Sequence, residues 1–206
     1  MLFKEMMGVA IFFLLITNLY GERRLTKTSI LIVRIGRIED GFIERLRLDL
    51  ERIFQRPVEM GRTLPEPDYA YHHKRNQYLS TTILTHLLKE KEAETYERVL
   101  GIVDHDLYVP QLNFVFGQAT QRVAIISLTR LKQEFYGLPK NQDLFYKRAL
   151  TEAVHELGHT YGLSHCPHPN CVMYFSNSIL DTDRKGSEFC PKCQSLIIEL
   201  SPKHKD

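Results

Sequence analysis

Two periodicities divide this chain. Ser29 to Ile35 (SILIVRI) is rich in β-branched residues and predicts the first strand. Gly41 to Phe54 then carries Phe42, Ile43, Leu46, Leu50 and Ile53 at helical spacing, with Asp40 placed as the N-cap. Arg56 to Met60 predicts a second short strand, and the two prolines between Thr63 and Pro67 predict a loop. Gln77 to Ala93 sets Leu79, Ile83, Leu84, Leu87 and Leu88 on one face and predicts a second helix. Arg98–Val103, Asn113–Gln118 and Arg122–Ser127 predict further strands. Helices and strands in this alternation pack as layers, so the expected fold class is α/β with a mixed sheet.

The strongest helix spans Gln142 to Tyr161, where Phe145, Leu150, Ala153, Val154, Leu157 and Tyr161 form most of an apolar stripe. Gly162 stands where such a helix should end, because glycine accepts the left-handed conformation at little cost. Beyond it, Cys, Pro and polar residues predict little regular structure until Cys193–Leu200.

That helix carries the chemistry, in the run HELGHTYGLSH from His155 to His165. Two histidines four apart on a helix are rotated by about 40° and displaced by about 6 Å, so both imidazoles can reach one ion. Glu156 can stand beside that ion without ligating it. A turn at Gly162 lets the chain fold back and present His165 as third ligand, with a fourth position left for water. A bare HExxH arises by chance on surface helices. Here the helix, the glycine and the third histidine agree on zinc. Zinc lowers the pKa of its water toward ~7 and polarises a scissile carbonyl. Glu156, as general base, accepts the proton and passes it to the leaving amine. The expected reaction is peptide-bond hydrolysis.

The chain has only four cysteines, Cys166, Cys171, Cys190 and Cys193, all in its last fifth. A disulfide-stapled domain spreads its cysteines more widely. Two close pairs, the second spaced C-x2-C, suit one closed tetrahedral zinc site. Two disulfides or free thiols are the alternatives. Zinc is favoured because pairing within each couple would do little for the fold.

Composition adds limits. With 206 residues, 43% hydrophobic and 25% charged, the chain reads as an ordinary globular protein, with residues 25–206 as one domain. The net charge is +2 with the signs interspersed. Lys185, Lys192, Lys203 and Lys205 are too diffuse for a basic patch, so no nucleic-acid partner is expected. Met6 to Ile16 is an uncharged run of eleven residues, the length of a signal-peptide core and short of a membrane span. Residues 1–24 are therefore expected to be a leader, either signal peptide or anchor. A buried element or an early start codon is the alternative. Export or membrane anchoring follows if the leader acts as a signal, and a cytoplasmic location if it does not.

The sequence resembles the archaemetzincins, a branch of the metzincin peptidases. The resemblance rests on HELGHTYGLSHC, the Cys171–Val172–Met173 triplet and Cys190–Pro191–Lys192–Cys193. It extends to Arg75–Asn–Gln–Tyr78, Asp106–Leu–Tyr108, Asn113–Ala119 and Ser127–Leu131, spanning about residues 28 to 193. It implies the zincin-like metzincin fold, with His155, His159 and His165 on catalytic zinc and Glu156 as base. It also implies Cys166, Cys171, Cys190 and Cys193 on a second, structural zinc. Met173 would be the methionine of the turn beneath the catalytic metal, where a thioether gives an apolar floor. The partner it implies is a peptide or protein substrate; the protein is expected to act as a monomer. Asn113–Gln118 would be the edge strand that pairs with extended substrate, or otherwise a core strand.

A zinc-stabilised peptide-binding module with little turnover is the rival function. Weaker site candidates are Tyr108 and Tyr161, which could hold a transition-state oxygen. His72 and His73 read as exposed loop residues, and His105 as part of a polar turn. His168 is a remote substitute for a thiolate.

Overall fold

The computed structural model describes residues 27–200. The leader at 1–24 lies outside the described residues. The first strand, β1 (Lys27–Ile35), is followed by helix α1 (Asp40–Phe54) and strand β2 (Val58–Met60). Next come β3 (Tyr71–His72), β4 (Gln77–Leu79), α2 (Ser80–Leu88), β5 (Tyr96–Val103) and β6 (Leu107–Tyr108). The chain continues through β7 (Gly117–Ala119), β8 (Val123–Ser127), α3 (Gln142–Thr160), α4 (Ile179–Lys185) and α5 (Pro191–Leu200).

Five strands form the main sheet in the order β2-β1-β5-β8-β7. All neighbours are parallel except β7, which runs antiparallel to β8 and forms one edge. A parallel sheet must be covered on both faces, and the strand sequences supply that. On β1, Ile30 and Ile32 join α1 and α3 in one core, while Leu31, Val33 and Ile35 join α2 in the other. On β8, Ala124 and Ile126 face the first core and Val123 and Ile125 the second. The pleat sends successive side chains to opposite faces, so continuous apolar runs serve both layers. The small strands β3, β4 and β6 form a second sheet beside the first. The mixed α/β architecture is the one expected.

Three local expectations need correction. Asp40 is the first helical residue of α1 and Glu39 takes the cap position; Asp40 pairs instead with Arg34. The helix expected over Gln77–Ala93 is cut at both ends. Gln77 sits in β4 because its side-chain amide donates to Asp106 Oδ2 and to the Asn113 carbonyl, both distant in sequence. At the other end the charged run 89–92 leaves Leu88 exposed, so Ile83, Leu84 and Leu87 alone bury that face. The strand expected at Asn113–Gln118 is displaced to Gly117–Ala119. Asn113 spends its carbonyl on Gln77 and Arg75, and Phe114 and Phe116 turn into the core.

Helix α3 runs behind the sheet from a cap in which Asn141 Oδ1 accepts from the Leu144 N–H at 3.0 Å. From Thr151 to Gly158 every residue is buried. The helix therefore holds His155 and Glu156 in the interior, against the β7 edge of the sheet.

Candidate metal centres and active site

His155 and His159 leave α3 from one flank, and their Nε2 atoms stand 3.1 Å apart. The chain then turns at Gly162, whose φ of +89° lies in the left-handed region that favours glycine. Leu163 N–H donates back to the Gly158 carbonyl, which closes the turn and delivers His165. The three ring centroids lie 4.6, 4.9 and 5.4 Å apart, and one ligand atom of each ring lies within 4.8 Å of the others. Ligands about 2.0–2.1 Å from one zinc stand roughly 3.3 Å apart in a tetrahedral arrangement, so the closer pair already fits.

The outer nitrogens are fixed as a ligand set needs them. His155 Nδ1 donates to the Val172 carbonyl and His159 Nδ1 to the Leu163 carbonyl, each at 2.7 Å. Both Nε2 lone pairs are thereby turned inward. Burial, with Lys185 nearby, holds His155 well below the usual imidazole range. Burial lowers His159 and His165 as well, so the rings stay neutral at pH 7, the form that ligates. His165 is exposed, and Phe175 sets a ring 4.7 Å from it.

Glu156 is buried beside this cluster, and burial pushes its carboxyl well above the usual range, with Glu152 adding to the rise. Gly117 of β7 makes the room for it. A Cβ at Gly117 would fall 2.5 Å from Glu156 Cγ and 2.7 Å from the Ile125 carbonyl oxygen. The edge strand thus passes directly over the carboxylate. Met173 is fully buried, with Sδ against the bare α-carbon of Gly158 on α3.

The four cysteines form the second cluster. Their sulfurs all lie within 4.8 Å of one another, and Cys166 and Cys190 are 3.9 Å apart. Tetrahedral thiolates at about 2.3 Å from zinc stand roughly 3.8 Å apart, whereas a disulfide needs about 2.05 Å. No disulfide joins them. Burial pushes the Cys171 and Cys193 thiols up, while the Cys193 backbone N–H holds Cys190 down to about 7. Four thiolates this close would need a cation among them. His168 is exposed and stands outside the cluster.

Three histidines gathered at the turn of a long buried helix, with a sheet edge laid across the carboxylate, fit the pattern expected of a zinc peptidase, and comparison with known proteins agrees. The model of peptidase family M54 matches residues 28–199. The chain belongs to that family, the archaemetzincins. It is 43% identical over 169 residues to the archaemetzincin of Methanocaldococcus jannaschii, covering 80% of this chain and 89% of that protein. The archaemetzincin structure from Methanopyrus kandleri superimposes with a TM-score of 0.74 at 38% identity, over 86% of this chain and 97% of that one. A zinc-dependent peptidase from Methanocorpusculum labreanum gives 0.74 at 29% identity, over 82% and 99%. As an M54 member the protein is a zinc metallopeptidase, and a binding module with little turnover is not favoured.

Sequence reasoning also singled out residues that lie elsewhere. Tyr161 is buried, its ring stacked on Phe54 and capped by Arg98, and Tyr108 is flanked by His72 and Arg75. Among the described residues, no hydrogen bond of either hydroxyl and no ring contact joins them to His155, His159 or His165. His72 and His73 are exposed, and His105 stacks on Tyr78 with Nε2 2.6 Å from Glu66. Three residues of the centre went unread: Gly117, Glu152 and Lys185. Lys185, counted among diffuse surface lysines, is buried. Its only sequence signal is its place at the end of a short amphipathic stretch, and Glu152 lies one turn before His155.

Proposed function

We propose that this archaemetzincin hydrolyses peptide bonds at a zinc held by His155, His159 and His165, and that a second zinc on Cys166, Cys171, Cys190 and Cys193 fastens the tail. The 3.1 Å approach of the two Nε2 atoms, with the third ring beside them, carries this reading. Bound there, zinc supplies the Lewis acid and the acidified water that hydrolysis needs. Glu156 takes the proton of the attacking water on its carboxylate and returns it to the amine nitrogen that leaves. Its burial suits that role, because a raised pKa brings a carboxylate closer to the operating pH.

Strand β7 presents the unpaired side of its backbone as the sheet edge. An extended peptide that adds to this edge lies alongside β7 and brings its scissile carbonyl beside Glu156 and the three histidines. Met173 serves as the apolar floor that keeps the ligand rings upright. The test is Glu156→Ala in zinc-replete protein. Metal content should stay at wild-type level while hydrolysis of a peptide library is lost. Turnover retained in that variant would contradict the assigned base.

A further inference from the structure

A fully buried lysine is the least expected side chain beside the three histidines. Lys185 ends α4, and its side chain is 0% exposed. Its Nζ lies 3.4 Å from Glu152 Oε1 on α3, 3.3 Å from the Tyr174 carbonyl and 3.2 Å from His155 Nδ1. The same Glu152 oxygen accepts a 2.9 Å hydrogen bond from Thr182 Oγ1, one turn earlier in α4. An ammonium group taken out of water needs a counter-charge and acceptors, and these groups supply both.

The approach to His155 is not a hydrogen bond into the ring. With Nε2 turned toward the other imidazoles, Nδ1 carries the ring proton and gives it to the Val172 carbonyl at 2.7 Å. It then has no lone pair to offer a lysine. What Lys185 and His155 share is a stretch of backbone. The ring donates to the carbonyl of residue 172, and the ammonium donates to that of residue 174. Met173 lies between them, and its own carbonyl accepts from the Cys166 N–H at 2.8 Å, next to His165.

We propose that Lys185, neutralised by Glu152, is a positioning residue for the catalytic metal site: it clamps backbone 172–174 against α3, so that the Val172 carbonyl fixes the ring and tautomer of His155 and Met173 stays beneath the ligands. This rests on the three-histidine zinc site proposed above. A staple between α3 and α4 would use the same ion pair but would leave metal affinity alone. Outer partners that orient a ligand change metal affinity about 10–100-fold.

The experiment uses the full chain with zinc at the thiolate site and cobalt(II) at the histidine site, so that the visible ligand-field bands report the histidines alone; a sample with cobalt(II) at both sites reports the thiolates by near-ultraviolet charge-transfer bands. Lys185→Met is compared with the double variant Lys185→Met/Glu152→Met, which removes both charges. The double variant should recover the melting temperature lost by the single one. It should still bind metal at the histidine site roughly 10–100-fold more weakly, with shifted visible bands and unchanged thiolate bands. Wild-type affinity and spectrum in the double variant would reduce the pair to a staple and overturn the proposal. Should Lys185→Met fail to fold, the double variant decides alone. If wild-type protein lacks visible bands that His165→Ala removes, the zinc-site reading itself fails, and that result is distinguishable from the other.

Discussion

A glycine beside the candidate base makes a close fit at the residue scale. Because a Cβ at Gly117 would meet Glu156 Cγ at 2.5 Å and a backbone oxygen at 2.7 Å, Gly117→Ala must displace one of them. Since misplacing a reacting group by about 1 Å can lower the rate roughly 100-fold, kcat/KM of that variant should fall on that order while zinc content holds. Unchanged kinetics would show that Glu156 has other room. The histidines give a second residue-scale expectation, in protein freed of metal by chelation. Burial holds their folded pKa values below that of free imidazole, about 6.5, so protons bind the unfolded chain first as pH falls. Their contribution to stability is complete above that value and is lost below it. Glu156, raised by burial, acts in the opposite sense, so the measurement belongs in Glu156→Gln. Its melting temperature should drop between about pH 7.5 and 5.5. The gathering of the three histidines was legible in sequence, because helical periodicity places the first two and a glycine explains the third. Gly117 was not, since nothing local marks a contact 39 positions away.

At the scale of elements, the stretches near residues 75, 106, 113 and 130 converge on one polar network. Arg130 donates twice to Asp106, at 2.6 and 2.8 Å, and Gln77 donates to Asp106 at 3.0 Å. Arg75 and Gln77 both donate to the Asn113 carbonyl, and Arg75 also reaches that of Leu112. The network ties the segment before β7 to the small sheet, so it sets the height of the edge strand above α3. Asp106→Ala leaves Arg130 without its acceptor. It should raise KM for peptides several-fold, with metal content and the cobalt spectrum unchanged; a loss of metal instead would place the network at the ligands. The same contacts explain why the helix ending at Ala93 was drawn too long. Periodicity registered the apolar face of α2, but Gln77 is committed to strand β4 by partners that only tertiary structure supplies.

Over the whole molecule, the two-face core was plain from the strand sequences, and the spacing of the four cysteines foretold that their sulfurs gather in one cluster. What stayed hidden was convergence: α4 arises from a segment with weak signals and delivers the buried Lys185. The sulfur cluster joins the loop after α3 to the start of α5, so a metal bound there would contribute to folding directly. Cys190→Ser should lower zinc from two per chain to one and reduce the melting temperature, read by metal analysis and calorimetry. Loss of both ions would mean that the clusters are not independent, and no loss would remove the thiolate site.

His165 and Cys166 are consecutive, so a single peptide link separates a member of one cluster from a member of the other. Damage therefore has a short route. An oxidant that converts the sulfurs to disulfide or sulfenate would strike a cluster separate from the three imidazoles. It would yet unfasten the loop that carries the outermost imidazole, and the consequence to expect is peptide cleavage that falls with oxidation of the sulfurs.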